Sequence, residues 1–124
     1  LFRSEEAGFA RIHAFPYSQR SRTAAARMPG QVSPDVLKER MGRLLAVGSQ
    51  LWARFREGRR DTFRPVLWEA PRTAADGQLL AFGHTDNYVP VYADARNLEN
   101  RITRAQLGEV YDDGVRGHLP GEAL

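Results

Sequence analysis

A chain of 124 residues has room for one small domain with appended elements, and so short a chain buries only a modest core. Hydrophobic residues make up 42% and charged residues 27%, an ordinary globular balance, and no apolar run reaches the roughly 18 residues that would suggest a membrane span. The formal net charge is +3, from 18 basic and 15 acidic residues, and the absence of cysteine excludes disulfides, iron–sulfur ligation and cysteine-type zinc sites within the chain.

A cysteine-free chain also fits a reducing compartment such as the cytoplasm. The N-terminal LFRSEEAGFARIHAF lacks a continuous apolar core, so no signal peptide is expected. The chain opens with Leu1 rather than Met, which predicts a processed or excised product. Charge is unevenly placed. Residues 20–60 hold ten basic residues against three acidic, whereas residues 61–124 hold six against ten. Nearly all the basic residues are arginine, which suits bidentate phosphate contacts and stacking on bases. A GC-rich coding sequence accounts for the same excess.

Residues 9–15, FARIHAF, read as a short buried strand, and Pro16 stops its pairing. His13 alternates into that apolar pattern and reads as a satisfied structural histidine. Residues 16–32 form an arginine-rich loop without periodicity, a length that is usually functional or disordered. Ser33-Pro34-Asp35 opens a helix over residues 33–58, with Ser as N-cap, Pro in the first turn and Asp at the positive end of the dipole. Leu37, Met41, Leu44, Leu51 and Phe55 keep helical spacing, and Gly58 is the expected C-terminal stop. Lys38, Arg40, Arg43, Arg54 and Arg56 lie on the opposite face, where a solvated basic face is the ordinary reading.

After Arg60 the pattern turns to strands: Phe63–Ala70, Leu79–His84, Tyr88–Ala95, Ile102–Tyr111 and Val115–Leu119. In the third, Val89, Val91 and Ala93 face one way and Tyr88, Pro90 and Tyr92 the other, and Pro90 predicts an edge or a bulge. Thr85-Asp86-Asn87 and Asp112-Asp113-Gly114 are turns. Five short strands at this spacing predict a small closed or half-open barrel, so the chain is mainly β and α+β overall.

Catalytic chemistry is not written in these residues. His13, His84 and His118 have no metal-ligand spacing, and no nucleophile elbow, phosphate-binding loop or dinucleotide fingerprint occurs. Neither a catalytic nor a metal site is therefore expected, and a binding module is favoured. The basic segment offers phosphate contacts, and Tyr88 and Tyr92, if solvent-facing, offer stacking on unpaired bases. Ordinary strand packing of both tyrosines is the competing reading.

Three segments, in order, resemble a known family. Residues 15–32, FPYSQRSRTAAARMPGQV, resemble the loop FPYSPRPGTPAARMPGQV that closes the radical-SAM barrel of the tRNA methylthiotransferases. Residues 33–57 resemble its following helix, with Lys38, Glu39, Arg40, Arg43, Leu44 and Leu45 in the KERxxRLL core. Residues 63–119 resemble the OB-like TRAM barrel, with the GxTDNYxxV signature at Gly83, Thr85, Asp86, Asn87, Tyr88 and Val91, and the close EVYDDGVRGHL. Gln19, Ser21, Arg22 and Ala24 depart from the family's Pro, Pro, Gly and Pro.

The subfamily most resembled modifies threonylcarbamoyladenosine next to the anticodon. The resemblance implies a parent enzyme with two [4Fe–4S] clusters and S-adenosylmethionine, whose cluster cysteines belong to N-terminal catalytic domains outside this chain. It implies residues 1–32 as the terminal strand and loop of a radical-SAM barrel, 33–58 as a helix and 61–120 as the TRAM barrel. The chain itself is then non-catalytic and carries no cofactor. It holds a tRNA anticodon arm through Arg54, Arg56, Arg59, Arg60, Arg64, Thr85, Asn87, Tyr88 and Tyr92. Two other readings stand beside this one: a ribosomal-protein substrate, which the acidic β region would suit, and a protein-interaction barrel with no nucleic acid. The unpaired edge of the first strand predicts pairing between chains.

Overall fold

The computed structural model describes residues 2–121, which divide into two compact units, residues up to Arg54 and residues from Phe55 onward. The first begins with helix α1 (Phe2–Ala7), which carries no buried residue and which the sequence pattern does not announce. Residues 9–15, expected as a strand, join no ladder. Their exposure does alternate, but among the described residues no strand lies beside them to take up the backbone donors and acceptors. His13 is exposed rather than packed in a core, and the chain pairing expected from this segment has no strand edge to carry it.

The loop from 16 to 32 is held by local bonds. The Thr23 amide and hydroxyl both donate to the Arg20 carbonyl, and the Gln31 amide donates to the carbonyls of Ala25 and Met28. Arg22 takes a left-handed φ of 70°, at the position where the resembled pattern has glycine. A short 3₁₀ turn, η1 (Ala25–Arg27), follows. Helix α2 (Pro34–Glu57) then runs as the periodicity predicts, its first bond closing from the Leu37 amide to the Ser33 carbonyl at 2.9 Å. Gly58 is not its left-handed stop. The helix unwinds through three-residue turns ending on the carbonyls of Arg56, Glu57 and Arg59, and Asp61 takes the positive φ of 64°.

The second unit is a closed five-stranded barrel in the order β1-β2-β3-β5-β4, with β4 returning to β1. Its strands are β1 (Phe63–Thr73), β2 (Leu79–Thr85), β3 (Pro90–Ala93), β4 (Ile102–Tyr111) and β5 (Gly114–His118). All neighbours are antiparallel except β3 and β5. Val66, Trp68, Val91, Ala105, Leu107 and Val115 are buried, and the Trp68 indole N–H donates to the Thr103 hydroxyl at 2.8 Å. Register shifts fall between Glu69 and Arg72 in β1 and between Leu107 and Val110 in β4. Such bulges let five short strands curl shut, and the first accommodates Pro71. Pro90 sits on neither an edge nor a bulge; it is buried as the first residue of β3, where a missing N–H costs least.

Closure also needs glycine at close approaches. A Cβ on Gly114 would lie 2.0 Å from the Pro90 carbonyl oxygen, and one on Gly83 2.3 Å from that of Leu67. The hairpin joining β4 to β5 therefore turns on Asp112 and Asp113, with Asp112 at φ 49°, and Gly114 serves to pack against β3. Outside the barrel wall a second cluster gathers Ala74, Leu80, Phe82 and Tyr92, with Tyr111 packed against it.

Candidate functional site

The turn between β2 and β3 is built around Thr85. Its amide and hydroxyl both bond Val89, donating from the amide to the Val89 carbonyl and accepting at Oγ1 from the Val89 amide at 2.9 Å. The same hydroxyl donates to Asn87 Oδ1, and the Tyr88 amide donates to the Thr85 carbonyl at 3.0 Å. These bonds close the loop so tightly that Tyr88 must adopt φ 63°. A bulky aromatic rarely accepts that conformation, which costs about 1–2 kcal/mol. The result is a tyrosine projected into solvent, 80% exposed.

Beneath Tyr88 lies an open groove of about 530 Å³ lined by Pro65, Leu67, Glu69, His84, Thr85, Asp86, Tyr88 and Ile102. The barrel register explains its floor. Leu67 on β1 stands directly opposite His84 on β2 and opposite Ile102 on β4, so the three side chains form one row across three strands. Leu67 is 49% and Ile102 70% exposed, an unusual amount of apolar surface to show on a barrel this small. Both carboxylates in the lining are engaged: Asp86 accepts from Arg64 at 3.0 Å, and Glu69 lies 3.2 Å from His84 Nδ1.

The nine expected contact residues separate by environment. Tyr88 is presented, and Thr85 and Asn87 form its turn. Arg64 borders the groove through Asp86. Tyr92 is 1% exposed and donates from its hydroxyl to Asp113 at 2.7 Å, so it cannot stack on a base. The expected face of Tyr88, Pro90 and Tyr92 does not form: Tyr88 lies in the turn outside β3, all four residues of β3 are buried, and Tyr92 packs with Phe82 and Tyr111 in the outer cluster. Arg56 is 8% exposed and donates from Nη1 to the carbonyls of Asp112 and Gly114, so it ties the helix end to the hairpin. Arg59 stacks over Phe55 at 4.7 Å, Arg60 pairs with Glu57 at 3.0 Å, and Arg54 is exposed. Leu67, Glu69, His84 and Ile102 escaped the sequence reading. A signal existed for Leu67 alone, the alternation of β1, which puts an apolar residue at an outward position where a polar one is ordinary.

The chain has no cysteine, and among the described residues no three His, Asp or Glu side chains gather as metal ligands. No helix among those residues is long and apolar enough to cross a membrane.

No family model matches the chain. Individual relatives do. It is 30% identical to the threonylcarbamoyladenosine tRNA methylthiotransferase MtaB of Bacillus subtilis, over 89% of this chain and 25% of the relative. It is 48% identical to the tRNA-2-methylthio-N(6)-dimethylallyladenosine synthase of Acidothermus cellulolyticus, over 93% and 22%. It is 36% identical to the ribosomal protein uS12 methylthiotransferase RimO of Geobacter sulfurreducens, over 93% and 27%. The chain thus spans about a quarter of the length of the relatives it matches, and the matched part is their C-terminal region.

Proposed function

The chain belongs to the methylthiotransferase family, and from that premise we propose that it is the RNA-holding part of an enzyme acting on threonylcarbamoyladenosine beside the tRNA anticodon. The observation that carries this reading is Tyr88, held in a left-handed backbone and presented above an apolar groove. A strained, exposed aromatic is kept where it is used, and base stacking is a use that every base satisfies. Arg54, Arg59 and Arg60 supply phosphate contacts that are independent of sequence. In this reading residues 1–32 are the terminal segment of a radical-SAM barrel, whose strand would pair only within the whole barrel, 33–58 its helix and 61–120 a TRAM domain, and the whole enzyme works in the cytoplasm. By resemblance it carries two [4Fe–4S] clusters and S-adenosylmethionine. Neither cluster fits this chain, which lacks cysteine, so its contribution is to bind and orient substrate.

The test is a titration of the chain with an anticodon stem-loop across a range of salt. Affinity is expected to fall linearly in log–log form, with the slope reduced by about one in Arg60→Ala. Tyr88→Ala is expected to weaken binding about tenfold or more. A folded chain that fails to bind at low salt would overturn the reading. That result would favour a protein substrate, for which the ribosomal-protein relative and the acidic excess of residues 61–124 argue.

A further inference from the structure

We propose that the groove beside Tyr88 is a subsite for one unpaired nucleobase, with His84 as its hydrogen-bonding group and Glu69 as the residue that positions His84. The proposal rests on the RNA-holding reading but names its own ligand and residues.

The shape comes from the register. Ile102, Leu67 and His84 form a row across three adjacent strands, about 10 Å wide at ordinary strand spacing. That is room for one planar ring system lying flat. Tyr88 lines the same groove as an exposed aromatic side chain, so a base inserted here has aliphatic carbon and a ring to pack against.

The charges select among occupants. A phosphate needs cations facing it, and the lining has no Arg or Lys. Of its two carboxylates, Asp86 is held by Arg64 and Glu69 bonds the His84 ring, so neither is left to recruit a basic side chain. What remains is a largely apolar slot with one imidazole edge, which suits the flat face and polar rim of a base. The Glu69 carboxylate can only accept, so His84 donates to it from Nδ1. In the neutral ring Nε2 is then the acceptor, suited to an amino or ring N–H of the base.

Nuclear magnetic resonance on the whole chain tests this, reading the methyl groups of Leu67 and Ile102 and the rings of Tyr88 and His84. The probes are adenosine monophosphate, ribose 5-phosphate and the anticodon stem-loop. Adenosine monophosphate is expected to shift these signals and ribose 5-phosphate to leave them still. Tyr88→Leu, an exposed change that leaves the barrel intact, is expected to weaken the nucleotide about tenfold, and His84→Phe about fivefold. Glu69→Leu is expected to redistribute the His84 tautomers, visible in the ring nitrogen shifts, and to lose a similar factor. An unaltered tautomer would remove Glu69 from the proposal. Equal shifts by both small probes, or none by either, would overturn the subsite. Stem-loop binding with the groove silent would overturn the subsite alone and leave the RNA-holding reading standing. A groove that takes the nucleotide on a chain that ignores the stem-loop would do the reverse.

Discussion

Two residues expected at the surface show how burial redirects a side chain. Arg56 reads as part of a basic helix face, yet its guanidinium serves two hairpin carbonyls more than fifty residues away in sequence. Arg56→Ala leaves both without that donor and is expected to cost about 2–3 kcal/mol in urea unfolding. Arg60→Ala, which breaks an exposed pair, is expected to cost under about 1 kcal/mol. Equal losses would remove the capping role. Tyr92 makes the second case. Burial, the hydrogen bond to Asp113 and the nearby Asp113 charge hold its hydroxyl well above the ordinary value of 10.0. A raised folded value means the unfolded chain ionises first as pH rises. This contribution is therefore complete below pH 10.0 and is lost progressively above it. Tyr111 shifts the same way, through burial and its bond to Asp76. Tyr92→Phe is expected to flatten the fall of melting temperature in alkali, and an unchanged alkaline slope would count against it. Neither role was legible from local pattern, because both partners arrive from distant strands.

Among the elements, helix α2 and all five strands follow from periodicity, capping and turn residues. Their ends were set by neighbours. β1 runs past the expected Ala70 to Thr73 because a bulge absorbs Pro71, and β3 shortens to four residues where the tight turn ends. Glycines divide by what surrounds them. Gly114→Ala drives a Cβ into the Pro90 carbonyl and is expected to destabilise the barrel by about 3 kcal/mol or more, since backbone must move. Gly42→Ala meets nothing within 4 Å and is expected to strengthen the helix by up to about 1 kcal/mol. Circular dichroism during thermal unfolding of both variants separates the two, and equal effects would contradict the packing assigned to Gly114.

For the whole chain, the barrel unit concentrates nearly all the buried apolar residues, and the unit before it holds Leu51 alone among the described core. Amide exchange is expected to be slow in β1, β2, β4 and β5 and fast over residues 9–32, and comparable protection in both would refute this division. The sequence by itself determined helix α2, the five barrel strands, the Thr85 turn and the kinship, because helix period, strand alternation and turn chemistry are local. Only the tertiary structure decided which tyrosine is presented and which is buried, what Arg56 holds, and that Leu67, His84 and Ile102 share a row. Those facts depend on strand register and barrel closure, and register is a relation between segments that no single segment contains.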